Sequence, residues 1–188
     1  MKRNILYISS ALLLVVFFSF KIDEKVKGWF LSGSSPRSYE IGVVEDAVRK
    51  GKVAFIKSNT SKIKDDFGTI MQTFDAEMYK GKKVKLTGFI RSEEVKSWAA
   101  MWMRVDDAKG SVSFDNMQDR SIKGTTNWNK YEIVLSVPER STTINYGVLL
   151  SETGQVWMDN LTFEIVGDAE EKTGKTKLTA PANANFED

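Results

Sequence analysis

The chain has 188 residues, 41% of them hydrophobic, with 27 basic against 25 acidic side chains and neither cysteine nor histidine. That length and apolar content suit one well-filled core and are too small for two. The missing thiols and imidazoles exclude disulfides, Cys/His zinc centres, cysteine nucleophiles and histidine-dependent triads or proton shuttles.

In chain order, Lys2 and Arg3 precede an apolar run from Ile5 to Phe20. The run falls short of the roughly 20 residues of a spanning helix and reads as an export signal peptide or a short membrane anchor. Its exit, F-F-S-F-K, offers no small-x-small cleavage site. Residues 1–27 are therefore assigned to a leader or anchor, and the protein to an exported location: periplasmic, extracellular or membrane-anchored. A buried N-terminal helix is the alternative. Without those residues and their five basic and two acidic side chains, 22 basic groups face 23 acidic ones. A near-neutral body argues against nucleic acid as partner, because phosphate binding shows as a basic excess.

From Gly28 onward, short apolar runs recur between Gly, Asn, Asp and Ser clusters, and alternation prevails over helical spacing. Strands are predicted near 39–44, 52–58, 67–74, 82–91, 98–106, 111–117, 128–137, 143–151 and 155–166, with one helical turn at Asp75 to Tyr79. Such spacing implies an antiparallel two-sheet sandwich or barrel. Alternation assigns Val84, Leu86, Ile90, Tyr131, Ile133, Leu135, Val137, Ile144, Val148, Leu150, Trp157, Leu161, Phe163 and Ile165 to the core. Residues 28–167 form the sandwich, and the polar, aperiodic stretch 168–188 a flexible tail.

The segment W-A-A-M-W-M-R-V-D from Trp98 to Asp106 divides into two faces. Ala99, Met101, Met103 and Val105 are core material, whereas Trp98, Ala100, Trp102 and Arg104 stand on the opposite face. Indoles stack on the apolar side of a sugar ring while charged and amide groups bond its hydroxyls. In the next strand, Val112 and Phe114 are expected to point inward and Ser113, Asp115 and Met117 outward, bringing Asp115 beside Arg104. Asn116, Gln118, Asp119 and Arg120 follow at a rim, and Gln72 is a lesser candidate because an amide in an apolar strand needs a partner. These nine residues, Trp98, Trp102, Arg104, Asp115, Asn116, Gln118, Asp119, Arg120 and Gln72, form the candidate ligand site. The competing reading is a second minor core with an Arg104–Asp115 ion pair and a rim that only satisfies loop backbone.

Three further segments, G-K-K-V-K-L-T-G-F-I from Gly81, W-N-K-Y-E-I-V-L-S-V-P from Trp128 and G-Q-V-W-M-D-N-L-T-F-E from Gly154, resemble carbohydrate-binding-module-like jelly-roll domains of the galactose-binding superfamily. G-W-F-L-S-G-S from Gly28, F-G-T-I-M-Q from Phe67 and F-D-N-M-Q-D-R-S-I-K-G-T-T-N-W from Phe114 are similar to an uncharacterised bacterial domain sometimes fused to helix-turn-helix regulators. The resemblance implies two antiparallel sheets and a sugar on a sheet face or loop rim. It also suggests a structural calcium near the N-terminal strands, here drawing on Asp159 and Glu40, with ordinary hydrogen bonding of Asp159 as the alternative. No regulator-type DNA-binding region is present in this chain.

The pairs Asp65–Asp66, Glu93–Glu94 and Asp106–Asp107 invite a glycoside hydrolase or lyase reading. Such chemistry needs two carboxyls roughly 5–10 Å apart across a cleft, and these pairs fall in predicted solvated turns. The expectation is non-catalytic binding of a glycan or small polar ligand at the cell envelope, with no cofactor required beyond the possible calcium. The alternative is an envelope module that docks a protein partner or senses a signal.

Overall fold

The computed structural model describes residues 26–169. Residues 1–25 of the expected leader and 170–188 of the expected tail lie outside the described residues. Nine strands occur: β1 (Phe30–Gly33), β2 (Tyr39–Asp46), β3 (Gly51–Ser58), β4 (Phe67–Asp75), β5 (Lys82–Asp107), β6 (Gly110–Asp115), β7 (Ile122–Val137), β8 (Thr143–Ser151) and β9 (Gln155–Asp168). The expected helical turn is a 3-10 turn at Glu77–Tyr79, where Asp75 Oδ1 accepts the Glu77 N–H at 2.7 Å. Among the described residues no helix is long and apolar enough to cross a membrane.

The predicted strands 82–91 and 98–106 are halves of one 26-residue strand. The first half of β5 pairs with β7 and β9, the second with β6 and β8. β5 thus belongs to both layers of an antiparallel jelly-roll sandwich. One sheet runs β1-β4-β8-β5-β6 and the other β2-β3-β9-β5-β7. A strand that changes sheets must bend and re-phase its side chains. Glu94 sits at φ 49, within a stretch where pairing with β7 is irregular. Even-numbered Val84, Leu86 and Ile90 point into the core before the bend, and odd-numbered Ala99, Met101, Met103 and Val105 after it; all seven are fully buried.

β9 re-phases too. Its pairing with β5 steps from Phe89↔Asp159 to Thr87↔Thr162, so Asn160 and Leu161 together oppose Gly88, and Asn160 takes a left-handed φ of 54. Leu161 and Phe163 beyond this bulge pack on the main core, as expected. Trp157 before it does not: it joins Val53 and Phe55 in a second cluster flanked by Val44 and Trp128, on the far side of the β2-β3-β9-β5-β7 sheet. Ile165, also expected in the core, is exposed. Unbroken alternation cannot register an inserted residue.

Candidate functional site

Cross-strand register turns the outer face of the β1-β4-β8-β5-β6 sheet into rows. Phe30, Met71, Gly147 and Trp102 share one row. Thr73, Asn145, Arg104 and Phe114 form the next. On the other side lie Ser32, Thr69, Leu149 and Ala100, then Phe67, Ser151 and Trp98. Directly opposed side chains stand on one face within contact range. Three phenylalanines are more than a third exposed among the described residues, Phe30 (46%), Phe67 (39%) and Phe114 (55%), and all three stand here. Apolar rings held open to water on one sheet face make that face the candidate interaction surface.

Trp102 projects from this face, as its alternation requires, yet is only 8% exposed. Its Nε1 donates to Thr69 Oγ1 at 2.8 Å, and Thr69 Oγ1 donates in turn to the Val148 carbonyl at 3.0 Å. Since β8 lies between β5 and β4, the indole must cross β8 and recline on the sheet. Gly147, its direct neighbour, lies so close to β4 that a Cβ there would collide with the Ile70 carbonyl and approach Met71 Cα to 2.9 Å. The expectation of two upright indoles in solvent is corrected on this point. Trp102 is part of the floor, while Trp98 is half-buried and packs at its margin.

A polar strip lies beside this floor. Arg104 donates from Nε and Nη2 to Asp106 Oδ2 at 3.1 and 2.9 Å. The same oxygen accepts from Asn145 Nδ2 at 2.9 Å, and Thr73 Oγ1 donates to Asn145 Oδ1 at 2.7 Å. Arg104 stays substantially exposed whereas Asn145 is buried. Asp106 is therefore no solvated turn residue, and neither is Asp107. Its carboxyl, held below the usual range by the Lys109 N–H and then the Arg140 guanidinium, accepts from Arg140 Nε at 2.6 Å.

The predicted Arg104–Asp115 pairing does not form. A register shift between Val105 and Asp106 sets Phe114, not Asp115, opposite Arg104, so Phe114 points outward rather than inward. Asp115 opposes Met103 on the inner side, where its Oδ2 accepts from Arg120 Nη2 at 2.6 Å. Met117, expected outward, is buried. Arg120 also bonds Asp119 at 2.9 Å, and Asn116 Oδ1 accepts the Gln118 N–H at 3.2 Å. These rim residues therefore hold their own turn together. Gln72 faces the interior: it accepts from the Tyr146 hydroxyl and donates to the Gly28 carbonyl at 3.0 Å. Trp98, Trp102 and Arg104 thus share one face, and Asp115 and Gln72 do not join them.

Sequence reasoning missed Phe30, Phe67, Thr73, Asp106 and Asn145. Phe67, Thr69, Met71 and Thr73 carried a signal, a mixed aromatic and hydroxyl face alternating with Gly68 and Ile70. β1, four residues long, carried none.

The calcium expectation also meets a different geometry. Asp159, outward-facing before the bulge, accepts from Arg49 Nε at 2.6 Å. Glu40 pairs with Lys57 at 3.2 Å, in register with Gln155, four residues along β9 from Asp159. The two carboxylates do not converge, and no group of three acidic side chains suited to a metal occurs among the described residues. Arg49 instead lies 4.2 Å over the Phe89 ring and 5.6 Å from Trp128, while Arg91 stacks at 3.9 Å on Trp157. Arg49, in the turn between β2 and β3, is thus folded onto this aromatic layer.

No family model matches the chain. Among solved structures, the CBM22-1 xylan-binding domain from Paenibacillus barcinonensis Xyn10C aligns over 79% of this chain and 92% of its own, with TM-score 0.54 and 13% identity. The enzymatically active domain of the bacteriophage CBA120 tailspike protein 4 aligns over 76% of this chain but 20% of its own, with TM-score 0.57 and 16% identity. The fold is that of carbohydrate-binding jelly rolls. A curated Bacillus subtilis (strain 168) protein, an uncharacterised HTH-type transcriptional regulator named YbfP, is 44% identical over 173 residues, 89% of this chain. The chain spans 59% of that relative's length, in keeping with the expected likeness to a domain fused to such regulators.

Proposed function

We propose that the protein binds a carbohydrate, without transforming it, on the outer face of the β1-β4-β8-β5-β6 sheet. The observation that carries this reading is that Trp98, Phe30, Phe67 and Phe114 share one sheet face with the Arg104–Asp106–Asn145–Thr73 strip. Aromatic rings offer flat apolar contact to sugar C–H faces, and the strip offers directed donors to hydroxyls. Trp102 serves as floor, fixing the level at which a ring would rest. The likeness in fold to a xylan-binding domain supports the same reading. A non-catalytic role accords with the commitments of the face's carboxylates: Asp106 is held by Arg104 and Asn145, and Asp75 by the Glu77 N–H. The apolar run at Ile5 to Phe20 supports an envelope location.

A second reading, a sensing module, is favoured by the relative's description as a transcriptional regulator. In that case the same face would receive the signal molecule.

Titration calorimetry guided by a glycan array tests the proposal. Trp98→Ala and Arg104→Ala should each weaken binding by about tenfold or more, corresponding to about 1.4 kcal/mol or above, while Lys130→Ala on the opposite sheet leaves it unchanged. Binding that survives both substitutions in folded protein would remove this face from consideration.

A further inference from the structure

We propose that Asp106 sets the charge class of the ligand, so that the face accepts uncharged saccharides and rejects uronate-bearing or sulfated ones. The inference rests on the carbohydrate reading above and specifies its substrate.

Between the Phe67–Ser151–Trp98 row and the Asp75–Thr143–Asp106 row, the register places one cation, Arg104, and two carboxylates, Asp75 and Asp106. Arg104 is not an open anion receptor. Its Nε and Nη2 converge on one oxygen of Asp106, a partner two residues away on the same strand and therefore always at hand. Asn145, the other strong donor of the strip, bonds that same oxygen. An incoming carboxylate must compete with Asp106 for the guanidinium while meeting repulsion from it and from Asp75. A sugar hydroxyl meets neither obstacle. It accepts from the guanidinium N–H groups that Asp106 leaves free, and Asp106 keeps that planar donor oriented across the strand.

The selectivity follows from charge balance and not from shape, so an isosteric change should reverse it. In Asp106→Asn the amide oxygen still accepts from Arg104 and Asn145, but the guanidinium charge is no longer offset. Charges a few ångströms apart at a partly solvated surface interact strongly enough for roughly tenfold in affinity. That gain should fade at high salt, because it is a surface electrostatic term.

The experiment is a glycan array carrying neutral, uronate-bearing and sulfated oligosaccharides, followed by calorimetry on the strongest neutral hit and on tetragalacturonate at low and high salt. The wild-type chain should select neutral glycans. Asp106→Asn should shift the ratio toward tetragalacturonate by about tenfold, reversibly with salt. Arg104→Gln guards against a variant that fails to fold: it leaves Asp106 uncompensated and must sharpen the rejection of acidic chains. Wild-type hits confined to acidic glycans, or an unchanged ratio in folded Asp106→Asn, would overturn the inference while leaving carbohydrate binding in place. A silent array would instead overturn the carbohydrate reading, and this inference with it.

Discussion

Two buried tyrosines, Tyr39 and Tyr146, tie strand edges to the core through their hydroxyls. Tyr39 donates to the Glu152 carbonyl at 2.9 Å and to Asp66 O at 3.3 Å, and Tyr146 donates to Gln72. Burial, the leading cause in both, pushes each phenol up to about 12. An unfolded tyrosine ionises near 10, so the folded state favours the protonated phenol. The resulting stability is complete below about pH 10 and is lost as pH rises through about 12, on the order of 2 kcal/mol per tyrosine. Urea midpoints measured from pH 8 to 12 should fall over that window. Tyr39→Phe and Tyr146→Phe should start lower, having lost a hydroxyl bond, and decline less steeply. At this scale the sequence was only half legible. Alternation placed Trp102 on the correct side of its strand, but whether an indole stands or reclines depends on its bond to Thr69, a residue contributed by a strand far away in the chain.

At the scale of the element, most strand positions were readable because short alternating runs between turn residues leave few alternatives. What could not be read were the insertions that change phase. Glu94 makes one strand of two predictions, the Val105/Asp106 shift exchanges Phe114 for Asp115, and Asn160 sends Trp157 and Asp159 outward. The Arg104–Asp115 and Asp159 errors therefore trace to bulges, whereas Trp102 and Gln72 lie in regular register and were misread in what their side chains touch. Asn160 allows a direct check, since asparagine tolerates the left-handed region and a β-branched residue does not. Asn160→Gly should be near neutral, whereas Asn160→Val should cost about 1–2 kcal/mol in denaturant unfolding. If valine is tolerated, the bulge does not set the phase of β9.

At the scale of the whole molecule, the jelly-roll class was legible because composition, spacing and the three core motifs all pointed to it. The missing information concerned how the layers are joined. β5 is shared by both sheets, flanked by β7 and β9 in its first half and by β6 and β8 in its second. Its backbone amides are therefore guarded on either edge through most of the span from Lys82 to Ser92 and again from Met103 to Asp107, whereas β1 and β2 close the outer margins of their sheets. Deuterium uptake should consequently be slowest along β5 and fastest in β1. Because the same ribbon carries Trp98, Trp102 and Arg104, saccharide added to the protein should slow exchange first in the peptides that border this spine, β8 and β6, and leave the margin at β2 untouched.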